Sequence, residues 1–350
     1  MFRFSMALAA AVASLLAGAA QAEDLPRTHL KGIGETSTVI HSGKLEQPFW
    51  HETIPQASNG MVTGDILPFD QAGVDNAAIL RLLKLGGMDI GTTDLSRLAA
   101  DDPRFEGCDL AGLTLTIDDV RKACGAYRPV LDRLLQENWN AKLLYLGIAQ
   151  QQVFWCRVPI GSLADLRGKK VRVYNKTIVD FLEGIGATGV SIPFPEVVPS
   201  LQTGVIDCGV TGTLNGNTAG WGEVTTHQYL ASLGWGVRFT AINLDTWNRL
   251  DPKVQAFLVD QYASYEDKVW ATMKEAAADA GRCNAGEEPC EFGKPAKLTL
   301  VPVGEADLPE IRRVIDESVL KNWAARCGEA CTAEWNATVG QALGLTATAN

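Results

Sequence analysis

The chain has 350 residues, with 31 Lys or Arg against 41 Asp or Glu, and a formal net charge of −10. So acidic a chain is a poor partner for nucleic acid, although a local cationic pocket for a small anion stays compatible with it.

Residues 1–22 read as a secretory signal peptide. Arg3 supplies the positive end, Ala7 to Ala20 is apolar, and Ala20-Gln21-Ala22 is a small-x-small cleavage site. No later stretch reaches about 18 apolar residues, so no stable membrane insertion is expected after cleavage. The remainder is long enough for two domains, each with its own core.

The elements then follow in order. Residues 29–34 form a strand, 44–60 a helix that Pro55 kinks or ends, 61–69 a strand, 75–87 a helix capped by Asp75, and 88–93 a strand. This βαβαβ order implies a parallel sheet with helices on its faces. A long helix over 118–139, interrupted near Pro129, precedes two apolar runs in 141–160. A second α/β unit begins after Pro159: a strand in "KKVRVY", a helix over 178–186, a strand over 189–194, a helix over 196–204 and a strand over 205–210. A strand over 235–244 returns from that unit. Helices over 252–281 and 306–328 end the chain.

Eight cysteines in an exported chain point to disulfides. Proximity pairs Cys108 with Cys124, Cys283 with Cys290 and Cys327 with Cys331, leaving Cys156 and Cys208. Eight cysteines allow on the order of a hundred connectivities, so spacing alone does not decide between them. There is no CxxC and the four histidines do not cluster, so neither a metal site nor a cofactor is expected.

Catalytic motifs are missing: no GxSxG, Walker loop, HExxH or dinucleotide fingerprint. The pairs Asp101–Asp102 and Asp118–Asp119 lie in turns or at helix starts. What remains is binding chemistry. Arg172 lies at the carboxyl end of its strand, the end that faces the ligand crevice in sheets of this kind. Val171 and Val173 point to one face of the strand and Arg172 to the other. Guanidinium offers a planar fork that matches a carboxylate.

The stretch around Arg172 carries more. Asp165, Leu166, Gly168 and Arg172, then Gly186 and Ala187, then Glu196, Val197, Leu201, Gln202, Gly204 and Asp207 form a D-L-x-G-x-x-x-R … G-A … E-V-x-x-x-L-Q-x-G-x-x-D pattern. "INLDTWNRL" (242–250) adds an N-x-x-x-W-x-x-L segment. This pattern resembles the solute-binding proteins of TRAP transporters, the DctP-type family. The likeness is specific over 159–207 and loose elsewhere.

The resemblance implies an α/β, two-lobed periplasmic binding protein (type II-like) with hinge strands, a long connecting helix and a helical C-terminus. Lobe I would comprise 23–150 plus about 237–275, and lobe II 151–236 plus about 276–350. Such a protein captures a small organic anion, here expected to be a carboxylate, in the inter-lobe cleft and delivers it to small and large TRAP membrane subunits. It is not an enzyme. Arg172 takes the role of the carboxylate-pairing arginine, and Phe194 that of the aromatic lying over the ligand.

Gln152 stands where sialic-acid binders carry a second arginine, and Thr211 where asparagine is common, so sialic acid is not expected. Asp94 and Arg97 match polar ligand-facing positions of the first lobe, and Glu35 is a further candidate. Phe154, Trp155 and Trp221 add rings near the cleft, which suits a monoanion with an apolar body. Two rival functions are a sensing protein that feeds a receptor and a secreted enzyme using the same cleft.

Overall fold

The computed structural model describes residues 25–349, so the expected signal peptide lies outside the described residues. Among the described residues there are eleven strands: β1 (Thr28–Gly34), β2 (Val62–Pro68), β3 (Ile90–Asp94), β4 (Ala141–Ile148), β5 (Gln152–Cys156), β6 (Lys170–Val173), β7 (Thr188–Ser191), β8 (Cys208–Gly212), β9 (His227–Tyr229), β10 (Val237–Asn243) and β11 (Thr299–Val301). They form a five-stranded sheet in the order β2-β1-β3-β10-β4 and a six-stranded sheet in the order β11-β9-β5-β8-β6-β7.

The chain divides into two compact units. One holds the described residues to Thr92, Gln136–Tyr145 and Thr240–Tyr265. The other holds Thr93–Leu135, Leu146–Phe239 and the residues from Glu266 onward. Residues 93–135, expected in the first lobe, pack instead inside the second unit. Trp323 Nε1 donates to the Pro103 carbonyl at 2.8 Å, Trp335 Nε1 to that of Gly107, and the Ala111 N–H to Thr177 Oγ1 at 3.3 Å. Buried indoles need acceptors, and this segment supplies them from its backbone.

In the first unit, β1 runs parallel to both β2 and β3, as the βαβ order predicts. The expected helix over 44–60 is present as π-helical turns, His41–Glu46 and Phe49–Thr53, followed by the α-turn Ile54–Ala57. Phe49 and Trp50 pack against Tyr262, and Phe49 also against Tyr265. Asp75 accepts from the Ala77 N–H, in the capping role assigned to it, although the first turn it caps is 3₁₀.

The helix Ile117–Trp139 is continuous through Pro129, which corrects the expected interruption. Buried residues such as Val120, Ala123, Cys124, Tyr127, Leu131 and Leu134 recur at helical spacing and fasten one face. Pro129 and Gly125 both lie on the exposed face, so the carbonyl freed by the missing N–H can meet water.

In the second unit, β6 runs parallel to β7 and β8, while β5 runs antiparallel to β8 and β9. Disulfides join Cys108 to Cys124, Cys156 to Cys208, Cys283 to Cys290 and Cys327 to Cys331. Cys156 and Cys208 are register partners, so their disulfide is a cross-strand staple between β5 and β8.

Candidate ligand site

Strand register explains where Arg172 sits. Across the six-stranded sheet, Val190, Arg172, Gly209, Trp155, Gln228 and Leu300 are successive partners, so their side chains share a face. Val197, Leu201, Ile206 and Trp221 form the apolar layer over that face, packed with Trp155. Gly209 makes the layer possible, because a Cβ there would stand 2.7 Å from the Trp221 indole. The indole therefore fills the space between Trp155 and Arg172.

Arg172 is 5% exposed. Its guanidinium carbon lies 5.7 Å from the ring centres of Tyr174 and Phe194 and 5.8 Å from that of Trp221. Phe194 stacks on Trp221 with centroids 5.4 Å apart. Nε donates to the Ile192 carbonyl at 3.0 Å and Nη1 to the Val210 carbonyl at 2.9 Å. Those carbonyls follow β7 and lie within β8, so two strands fix the fork. A guanidinium has five N–H donors. Two are used here, and no carboxylate among the described residues pairs with Arg172. Burial lowers its pKa to about 10, with Tyr174 acting the other way and the charge of Arg97 adding to the fall. The group stays a cation at neutral pH.

Of the other expected site residues, Phe194 is brought to Arg172 and is 36% exposed. Arg97 is exposed, lies within electrostatic reach and has no ion pair among the described residues. Thr211 is buried on β8, directly after the Val210 carbonyl that holds Arg172. Gln152 turns its amide to the backbone, where Nε2 donates to the Gln150 carbonyl at 2.8 Å. Gln150 in turn accepts from the Leu214 and Asn215 N–H groups and closes the start of the helix Thr213–Thr218.

The other expected positions are packed or paired within the fold. Trp155 is fully buried in the apolar layer and presents no surface, because its strand is covered on this face. Phe154, on the opposite face, is likewise buried and packs on Tyr229. Asp94 is already paired: its Oδ1 accepts from Arg238 Nε at 3.2 Å. Glu35 lies in the first unit, buried, where its backbone N–H donates to Glu46 and its carboxylate accepts from the Thr36 N–H.

Sequence reasoning missed Arg238, Asp109 and Tyr174. Arg238 is 6% exposed and answers Asp94. Asp109 accepts from the Trp235 N–H at 2.8 Å and the Val237 N–H at 3.2 Å, and burial pushes its carboxyl up to about 7. The Tyr174 hydroxyl is buried without a partner. Burial and the Asp109 carboxylate hold this phenol well above its usual pKa, against the pull of Arg172. Alternation marks Tyr174 as sharing the face of Arg172, but no sequence signal shows that its hydroxyl lacks an acceptor.

Asp279, Cys283 and Cys290 bring possible metal donors within 4.8 Å of one another. The cysteines are disulfide-bonded, and Asp279 accepts from Arg282 and from the Glu291 and Phe292 N–H groups. A cation there would have to displace all of these.

The fold is that of TRAP periplasmic solute-binding proteins. A Bordetella pertussis solute receptor binding pyroglutamic acid matches with a TM-score of 0.77 at 20% identity, covering 90% of this chain and 99% of that one. A Desulfovibrio salexigens protein with bound orotic acid matches with a TM-score of 0.78 at 18% identity, covering 90% and 98%. Residues 35–286 match the family model of bacterial extracellular solute-binding proteins, family 7 (DctP), and the chain belongs to that family.

Among curated relatives, the sialic acid-binding periplasmic protein SiaP of Vibrio cholerae is 29% identical over 160 residues, 45% of this chain and 49% of that protein. The C4-dicarboxylate-binding protein DctP of Rhodobacter capsulatus is 24% identical over 273 residues, 73% of this chain and 79% of that one. The chain spans about half the length of the first of these. Members of the family are solute-binding receptors rather than enzymes, and among the described residues no helix is long and apolar enough to cross a membrane.

Proposed function

We propose that this protein is the periplasmic solute-binding subunit of a TRAP transporter, that it takes a small carboxylate at Arg172, and that it delivers the ligand to small and large membrane subunits. One observation carries the ligand reading: a buried guanidinium, held by two backbone carbonyls, keeps three donors and a full charge with no carboxylate to meet them. A buried cation without a counter-charge is costly, and an arriving carboxylate removes that cost. Arg97 adds a positive field toward the same point.

Phe194, stacked on the buried Trp221, supplies a flat apolar wall beside the fork, which favours a monoanion with an apolar or aromatic body. Thr211 and Gln152 complete the proposed ligand shell at the ends of β8 and β5.

Calorimetric titration of carboxylates against the wild type and Arg172→Ala tests the reading. The variant is expected to remain folded and to bind at least about tenfold more weakly, and Arg172→Lys to bind poorly because the fork is lost. Unchanged affinity in Arg172→Ala would refute the clamp. Thermal shift with paired ligands tests the body of the ligand: stabilisation by polar dicarboxylates alone would sink the apolar-body reading.

A further inference from the structure

The disulfides differ in what an attacking thiol would meet. Cys156 and Cys208 are fully buried, and Cys108 and Cys124 are buried as well. Cys290 is half-buried, but its partner Cys283 is buried with Sγ 3.3 Å from the Asp279 carboxylate. Attack at Cys290 would leave a thiolate beside that carboxylate, which disfavours it as a leaving group.

Cys327–Cys331 is the exception. It joins the end of the helix Lys321–Cys327 to the helix Glu329–Trp335. Both cysteines line a surface pocket of about 480 Å³, together with Arg104, Arg133, Ala330 and Glu334. Cys327 is half-buried and Ala330 exposed, so the pocket opens to solvent, while Cys331 is 8% exposed. The acids nearby are turned toward the guanidiniums. Both oxygens of Glu334 accept from Arg133 Nη2, at 2.6 and 2.8 Å, and both of Asp102 accept from Arg104. A guanidinium beside a sulfur favours its thiolate and makes it a better leaving group.

We propose that Cys327–Cys331 is a thiol-exchange site that takes up a low-molecular-weight thiol as a mixed disulfide on Cys327. The thiolate of the small thiol attacks Sγ of Cys327, the more open sulfur. The new S–S bond forms as the Cys327–Cys331 bond breaks, and the electron pair leaves on Cys331 Sγ as a thiolate in the arginine-lined pocket. Return attack by Cys331 expels the small thiol and restores the disulfide. Attack by a second small thiol on the mixed disulfide instead releases the oxidised small disulfide and leaves both cysteines reduced, two electrons having passed from two thiols to the protein.

The fold is built to survive the exchange. The sequence separation of four is the shortest among the disulfides, so this ring constrains the unfolded chain least. Trp323 and Trp335 tie the two helices to the carbonyls of Pro103 and Gly107 through their indoles, without the sulfurs.

Incubating the folded protein with reduced glutathione, quenching with N-ethylmaleimide and reading intact mass and peptide maps tests the site. The first product expected carries one glutathione on Cys327 and one maleimide on Cys331, and forms at least about tenfold faster than adducts at the other cysteines. Its melting temperature should lie within about 5 °C of the untreated protein. Arg133→Gln should slow its formation about threefold or more. The double variant Cys327→Ser, Cys331→Ser should lose the fast phase and keep the other disulfides closed. A first adduct at Cys290, all disulfides opening together, a fast phase that persists in the double variant, or no adduct at all would overturn the proposal. So would an unchanged rate in Arg133→Gln, since the pocket would then add nothing to bare exposure.

Discussion

Two arginines in the second unit are almost equally buried, Arg172 at 5% and Arg238 at 6% exposure, yet their surroundings are opposite. Arg238, on β10, has Asp94 at 3.2 Å. Arg172, on β6, has backbone carbonyls and rings. The first charge is answered within the fold and holds β3 to β10. The second is held in place but left unanswered. Glu106 adds a third case: buried at 4% exposure, it is pushed up to about 7, chiefly by burial, so that the proton neutralises it. A buried charge can thus be paired, neutralised or left without a counter-charge, and Arg172 is the last of these.

The contrast can be broken experimentally. The largest effect is expected from Arg238→Ala, which strands Asp94 and should cost about 3–5 kcal/mol in urea unfolding. A loss under about 1 kcal/mol would mean that the pair is not structural. Next comes Gly209→Ala, whose new methyl must displace Trp221 and should cost about 1–3 kcal/mol by the same measurement, with weaker carboxylate binding. Arg172→Ala should do the reverse of Arg238→Ala: stability unchanged or higher, affinity lower. If both arginine variants unfold alike, the distinction fails.

The smallest effect is a slope. The folded chain holds the Glu106 proton up to about pH 7, whereas the unfolded chain releases it near 4.5. Between those values unfolding releases a proton, so this group makes stability fall as pH rises, by at most about 1.4 kcal/mol per pH unit, with no further change above 7. Glu106→Gln should flatten that part of the profile relative to wild type. An unchanged slope would place the titration on another group, with Asp109 the next to examine.

Local pattern and fold differ in what they made legible. Arg172 was readable because a cation interrupting a valine strand conflicts with a covered sheet, and because the flanking pattern names a family. Phe194 was readable from its place before the helix Val197–Thr203. Trp155 was not, since alternation divides side chains between two faces without saying which face is covered. The commitment of Asp94 was hidden because its partner lies 144 residues away. The packing of Trp221 under Phe194 was not legible, because it depends on Gly209 in a different element. The break expected at Pro129 failed because propensity was weighed without knowing which side of the helix meets water.

The Cys156–Cys208 staple has a practical consequence. Arg172, Tyr174 and Phe194 all lie between those two cysteines in the chain, inside a covalent ring closed at the sheet. A protease that cuts once anywhere in that ring opens it into two arms, each still tied to the rest of the molecule. A nicked protein therefore travels as one species until a reductant is added, and only then comes apart. Migration without reducing agent would not reveal whether a preparation carries this segment unbroken, whereas intact mass would, through the one water that each cut adds.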